Sequence, residues 1–245
     1  GNNRFIDVSK KLNLHDESWS GDASPVDFNQ DGWIDLYLLN MQGNDQYYVN
    51  IEGKYFEKKS REVFPLTPWG AMGIKTFDFE NDGDMDLAFA LGGRFSGDED
   101  SVAEISSNGI KLYRNDGQLK FTDVTNESGL ANSVSFYNHG MFAQDYDSDG
   151  NIDLLVTGYG GIAVLHNEGG GTFTNVTSTL GLNDPSWSVG AAWGDIDGDG
   201  TLELYVGHYV DWSFANNPRC STANDRFLDG ATSPQTPERE VCSPR

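Results

Sequence analysis

The sequence predicts an all-β fold of β-propeller blades, each of four antiparallel strands, with about three and a half blades in 245 residues. Three observations carry this. A nine-residue acidic motif recurs four times in one register, at 27–35 (DFNQDGWID), 78–86 (DFENDGDMD), 145–153 (DYDSDGNID) and 195–203 (DIDGDGTLE). Short apolar, β-rich runs flank every copy. The copies start 51, 67 and 50 residues apart, which is the scale of a four-stranded blade.

The strands follow in order. A first strand precedes each motif, at 24–28, 72–79, 140–146 and 190–196, and a second follows it, at 36–39, 87–90, 154–157 and 204–207. Third strands are expected at 46–50, 110–115 and 162–167, and fourth strands at 55–58, 120–124 and 172–176. The turns IEGK, NDGQ and NEGGGT join third to fourth, as hairpins require. Residues 4–8 (RFIDV) match the fourth strand of a blade (compare FTDV from Phe121 and FTNV from Phe173) and are expected to form one. The fourth motif has only its first two strands before a polar segment at 211–245, so unpaired sheet edges are expected, to be completed by further chain or a second polypeptide. The blades thus occupy 1–210, with 211–245 a Cys-bearing insert or tail. Helical periodicity is weak; 99–106 is the one helical candidate, inside a long polar blade loop at 93–108.

Each motif reads as a cation loop. Positions 1, 3, 5 and 9 carry side-chain oxygens: Asp27, Asn29, Asp31 and Asp35; Asp78, Glu80, Asp82 and Asp86; Asp145, Asp147, Asp149 and Asp153; Asp195, Asp197, Asp199 and Glu203. Position 6 is always Gly, which permits a sharp turn. Position 7 offers a carbonyl, from Trp33, Asp84, Asn151 or Thr201. Position 8 is apolar in each copy (Ile34, Met85, Ile152, Leu202) and is expected to plug into the blade core. An all-oxygen shell of flexible geometry suits Ca²⁺, about four ions in all, before Mg²⁺. Transition metals are disfavoured because no His or Cys joins the motif. An EF-hand would need a bidentate Glu at position 12, where Leu38, Phe89, Val156 and Val206 stand. Simple Asp/Gly turns would not repeat four times in one register.

Composition agrees. The net charge is −22, and 16 of the 38 acidic residues lie in the four loops. Such charge repels nucleic acid and anionic membranes, while 12% aromatic content excludes a disordered acidic chain. There is no apolar run long enough to span a membrane as a helix. Cys220 and Cys242, the only cysteines, are expected to form a disulfide in an oxidising compartment.

Other residues are weaker markers. An aromatic stands eight or nine residues before each loop: Trp19, Trp69, Tyr137 and Trp187. That spacing places it at the far end of the first strand from the cation, either as inter-blade packing or as a platform for a glycan or protein ligand. His15, His139, His166 and His208 are scattered, and no GxSxG or HExxH occurs. Asn126 and Asn175 fit the glycosylation sequon.

The loop DxDxDGxxD within a blade resembles the FG-GAP/VCBS repeats of integrin-α-like propellers. The segments NMQGNDQYYVN, FPLTPWGAMGIKTFDFENDGDMDL and LYRNDGQLKFTDVTNESGL, with YVDW and the two tail cysteines, are similar to the cartilage-acidic-protein-like (ASPIC/UnbV-type) family. The resemblance implies a seven-bladed propeller with calcium loops, followed by a further domain, and no defined chemistry. The expected function is a secreted, cell-surface or periplasmic module for adhesion, scaffolding or ligand binding, not an enzyme. The alternative is a lyase-type enzyme acting on polysaccharide, although net acidity disfavours a polyanionic substrate.

Overall fold

The structure, a computed structural model, describes residues 4–98, 101–211 and 213. The chain divides into a unit Gly1–Tyr209 and a second unit Val210–Arg245. Cys220 and Cys242 lie outside the described residues, as does nearly all of the expected tail.

Three complete sheets repeat one antiparallel plan. The first holds β1 (Trp19–Val26), β2 (Asp35–Gln42), β3 (Gln46–Ile51) and β4 (Tyr55–Lys58), in that order. A one-turn helix, α1 (Ser60–Val63), follows. The second sheet is β5 (Gly73–Phe77), β6 (Asp86–Ala90), β9 (Ile110–Asn115) and β10 (Phe121–Asp123). Between β6 and β9 stand β7 (Gly93–Asp98) and β8 (Ser101–Ser107), a separate two-stranded hairpin. The third sheet runs β11 (Tyr137–Gln144), β12 (Asp153–Tyr159), β13 (Gly161–Asn167) and β14 (Phe173–Asn175). A two-stranded pair, β15 (Ser188–Gly194) and β16 (Glu203–His208), completes the described strands.

Burial explains the sequence pattern. Every residue of β6 and of β12 is buried. A strand covered on both faces has no solvent side, so it reads as an unbroken apolar run rather than an alternation. The covering comes from the neighbouring sheets. Val26, Tyr37 and Leu39 of the first sheet pack with Ile74, Leu87 and Phe89 of the second. Ala88, Ile110 and Leu112 of the second pack with Met141, Leu154 and Val156 of the third. Leu155, Ile162 and Val164 of the third sheet are met by Ala191, Trp193, Leu204 and Val206 of β15 and β16. The core therefore sits between successive sheets, as in propeller blades. The first strands also join directly: Ser24 Oγ lies 2.8 Å from Thr76 Oγ1, and the Ile74 N–H donates to Asp22 Oδ2 at 3.2 Å.

Four expectations need correction. Residues 4–8 form no strand; Phe5 and Ile6 are exposed. A fourth strand is held by the third strand of its own sheet, and among the described residues none lies beside this segment. The described part of the helical candidate at 99–106, residues 101–106, is strand β8, because it pairs with β7 across Phe95↔Ile105 and Arg94↔Ser106. For the same reason the insert at 93–108 is a hairpin rather than an irregular loop. Finally, Ile34 does not plug into a core: it is 55% exposed, whereas Met85 and Ile152 are partly buried against their clusters.

Candidate metal centre

The four acidic loops each connect a first strand to a second, and each is shaped by its own side chains. The position 1 carboxylate accepts the N–H groups of positions 5 and 6. The pairs are Asp27 with Asp31 and Gly32 at 3.2 and 2.9 Å, and Asp78 with Asp82 and Gly83 at 3.1 and 2.8 Å. Asp145 does the same with Asp149 and Gly150, and Asp195 with Asp199 and Gly200. Position 5 accepts the N–H of position 7 at 2.8 Å in all four loops. Position 3 accepts the N–H of position 5 in three: Asn29, Asp147 and Asp197. These side-chain-to-backbone turns are what short Asp and Asn side chains do well. The Gly at position 6 has φ between +85° and +92°, where other L-residues are strained. Position 4 is also left-handed, at Gln30, Asn81, Ser148 and Gly198.

Position 9 has a second role that the motif did not reveal. Asp35, Asp86 and Asp153 are buried. Asp86 accepts N–H groups from Phe79 at 3.1 Å and Asn115 at 2.8 Å; Asp153 accepts them from Tyr146 at 3.2 Å and Asn167 at 2.7 Å. Asp35 accepts the Asn50 N–H at 2.7 Å and the Tyr47 hydroxyl. Each carboxylate thus ties its loop to the end of the third strand. The asparagines at those ends complete the tie. Asn115 Nδ2 donates to the carbonyls of Met85 and, in the preceding sheet, Phe28. Asn167 Nδ2 donates likewise to Ile152 and Phe79. The signal was present in the sequence as an Asn closing each third strand (Asn50, Asn115, Asn167).

The loops are also chained to one another. Gln30 Nε2 donates to Gly83 O at 2.8 Å and Asp84 Oδ1 at 2.6 Å. Asn81 Nδ2 lies 3.3 Å from Gly150 O and 3.2 Å from Asn151 Oδ1, donating to both. In each case position 4 of one loop reaches positions 6 and 7 of the next.

Electrostatics separates rim from base. At the exposed rim, the backbone N–H and side-chain amide of Asn151 hold Asp149 below the usual carboxylate range, and the Thr201 hydroxyl and N–H do so for Asp199. At the base, burial pushes Asp86 up to about 7 and raises Asp35 and Asp153. Glu80 is raised by burial, against the opposing pull of the Arg114 guanidinium, whose Nε lies 3.8 Å away.

The donor chemistry fits a hard divalent cation. Asp145, Asp147 and Asp149 bring ligand atoms within 4.8 Å of one another, and so do Asp195, Asp197 and Asp199. Loop 1 has the neutral Asn29 at position 3, and in loop 2 Glu80 leans towards Arg114; neither gives such a trio. Each carboxylate that accepts N–H groups keeps further lone pairs. A cation bound there would neutralise the crowded charge and cross-link the loop.

One side chain joins this centre from outside the motif. His166, on β13, has Nδ1 3.0 Å from Asp153 Oδ1 and 3.5 Å from Asp147 Oδ2, with Nε2 4.0 Å from Asp149 Oδ2. The motif itself holds no His, yet at loop 3 the fold sets one beside it. No spacing rule within the motif could have found it, since it arrives from the third strand. His208 instead lies 2.9 Å from Asp184 Oδ2, the oxygen that also accepts the Ser188 hydroxyl, so that hydroxyl is directed at a carboxylate and not at an imidazole.

The four aromatic positions divide. Trp19 and Trp69 are 67% and 79% exposed. Tyr137 and Trp187 are half-buried: Tyr137 stacks on Phe95 with centroids 5.0 Å apart, and Trp187 Nε1 donates to His139 Nε2 at 2.9 Å. Burial lowers the pKa of His139, consistent with a neutral acceptor.

Four-stranded antiparallel meanders, packed sheet on sheet with an acidic loop at the same corner of each, define a β-propeller repeat protein. The chain belongs to the FG-GAP-like repeat family, which matches residues 27–89 and 145–206, covering all four loops. Among curated proteins it is similar to cartilage acidic protein 1 of Mus musculus, 23% identical over 162 residues, covering 64% of this chain and 24% of that one. The Homo sapiens protein of the same name is 23% identical over 163 residues, covering 64% and 23%. The chain thus spans about a quarter of the length of these relatives. A solved Agrocybe aegerita lectin, described as recognising non-reducing terminal N-acetylglucosamine, aligns with TM-score 0.48 and 16% identity over 81% of this chain and 49% of that one. No helix among the described residues is long and apolar enough to cross a membrane.

Proposed function

We propose that this chain is a calcium-stabilised propeller module of extracellular or periplasmic type. Its acidic loops hold Ca²⁺, and the opposite strand ends bind a protein or glycan ligand. The observation that carries this reading is the self-shaped turn shared by all four loops, in which position 1 accepts the N–H groups of positions 5 and 6 and position 5 accepts that of position 7, on a −22 chain. Extracellular calcium modules bind at about 10⁻⁴–10⁻³ M, which matches a compartment rich in calcium and leaves such loops empty in the cytosol. At ten to one hundred times Kd, each filled site adds about 1.4–2.7 kcal/mol to folding stability. The exposed rings of Trp19 and Trp69 supply flat apolar faces of the kind that stack on sugars or anchor protein partners.

The test is thermal unfolding of the full chain in 10 mM calcium and in chelator, followed by a glycan array in calcium with the unmutated chain and the Trp19→Ala/Trp69→Ala double variant. A calcium-dependent rise in Tm, together with array binding that the double variant loses, supports the reading. An unchanged Tm removes the calcium part. Array binding that the double variant retains removes the assigned face.

A further inference from the structure

We propose that loop 3 is a mixed nitrogen–oxygen site which takes a first-row divalent transition cation in preference to Ca²⁺, with His166 Nε2 as its nitrogen donor. This rests on the reading of the acidic loops as cation sites and sets one of them apart.

The residue before the Asn at the end of each third strand is buried in the core cluster in the first sheet and stands beside its own loop in the second and third. It is Val49 in the first sheet, Arg114 in the second and His166 in the third. Position 3 of the matching loop is neutral Asn29, then Glu80, then Asp147. Val49 adds no donor. Arg114 adds a fixed cation, 3.8 Å from Glu80 and 2.7 Å from Asp116, and can never ligate a metal. Only in the third sheet is the neighbour a metal-ligating group.

The ring of His166 is held on two sides. Asp153 Oδ1 lies 3.0 Å from Nδ1 and already accepts the Asn167 N–H at 2.7 Å, while Oδ2 accepts the Tyr146 N–H. A carboxylate fixed in this way acts as the acceptor, so Nδ1 carries the proton and the Nε2 lone pair is left available. The ring also lies edge-on to Tyr146, at 6.1 Å, and Tyr146 stacks on Trp193 of β15 at 5.6 Å. A carboxylate behind a histidine, fixing its tautomer, is the arrangement that supports metal-ligating imidazoles. Nε2 faces Asp149 Oδ2 at 4.0 Å, and His166, Asp147 and Asp153 bring ligand atoms within 4.8 Å of one another, a group that shares Asp147 with the Asp145, Asp147 and Asp149 trio. Imidazole with carboxylates favours first-row transition cations, whereas Ca²⁺ takes oxygen. The corresponding group in loop 4 consists of Asp195, Asp197 and Asp199 alone, so it stays an oxygen site.

The experiment titrates the full chain with Co²⁺ and, separately, with Ca²⁺, reading heat and the visible absorption of cobalt. The comparison variants are His166→Gln and His166→Val, the latter copying the first sheet. The expected result is one Co²⁺ bound more tightly than Ca²⁺ at loop 3. Both variants should weaken it by about tenfold or more, the scale of changes around a metal-bound histidine, with calcium affinity nearly unchanged. Equal Co²⁺ affinity in the variants overturns the proposal. If both variants fail to fold, proton NMR of the unmutated chain decides: His166 ring resonances strongly shifted by Co²⁺ support it, and unshifted ones overturn it. Calcium binding without His166-dependent cobalt binding overturns this proposal alone, whereas a chain that binds neither cation overturns the reading of the loops as well.

Discussion

The third sheet and the β15–β16 pair carry the same motif in different company. Loop 4 has the same left-handed positions and the same turns at positions 1, 3 and 5 as loop 3. Its last acid differs. Asp153 is buried and receives N–H groups from both Tyr146 and Asn167, whereas Glu203 is half-buried and, among the described residues, accepts from Ile196 alone, at 2.7 Å. The strand that follows differs too: β12 is buried throughout, while Tyr205 on β16 is 68% exposed. The loop's shape is therefore local and needs only nine residues. The burial of position 9 belongs to the blade, because it requires a third strand to supply the second N–H.

That division can be broken most directly at position 9. Asp153→Ala leaves the Tyr146 and Asn167 N–H groups unpaired in a buried place, and should cost about 3–5 kcal/mol. Glu203→Ala should cost about 1 kcal/mol or less. Urea unfolding in chelator, which removes any metal contribution, checks both; equal losses would break the distinction.

Burial without a cation loop can be probed in the first sheet. Asp45 is buried and accepts the Tyr37 hydroxyl and the Asn40 N–H, both at 2.9 Å, yet burial pushes its carboxyl up to about 6. The folded state thus holds a proton that the unfolded chain releases near 3.8. The associated stability is fully present below about pH 3.8 and is lost as pH rises through about 6. Relative to Asp45→Asn, the unmutated protein should lose about 2–3 kcal/mol between pH 4 and 7. A pH series of urea midpoints for the pair would show it, and a flat difference would refute it.

The local character of the loop predicts equality where position 9 predicts difference. Asp147→Ala and Asp197→Ala should each remove one site's calcium contribution, about 1.4–2.7 kcal/mol at ten to one hundred times Kd, with little effect in chelator. Calorimetry with and without calcium measures this; a loss in chelator as large as in calcium would mean these acids act through the fold. The smallest effect belongs to the links between loops. Asn81→Gly copies the residue that loop 4 carries at position 4, Gly198, and keeps the left-handed backbone. It removes only exposed hydrogen bonds and should shift stability by less than about 1 kcal/mol, read from the same calorimetric scans.

The legible parts of this molecule were those written in local patterns. Repeated DxDxDG turns and unbroken runs such as DLLVTGY located the sheets because turn chemistry and two-sided burial act on neighbouring residues. What was missed depended on distant partners. RFIDV has the pattern of a fourth strand, but that pattern cannot supply a third strand to pair with. Residues 101–106 look weakly helical until β7 pairs with them. His166 was one scattered histidine among four until β13 carried it to Asp147 and Asp153. Asp86 and Asp153 read as simple ligands, although their burial and their N–H partners come from strands 29 and 14 residues away.

The ties between sheets have a direction. Asn115 and Asn167 reach back to the preceding sheet, and Gln30 and Asn81 reach forward to the next loop. Each unit therefore presents one surface to its predecessor and a different one to its successor, the head-to-tail relation of a polymer rather than the self-matching contact of a two-fold dimer. Such a contact does not count its members, so a tandem duplication inserts a unit whose two surfaces already match its neighbours. Repeat number is then limited by the angle each unit turns through, and one repeat is free to change its chemistry, as the Val49, Arg114 and His166 series does, while its links to the others are kept.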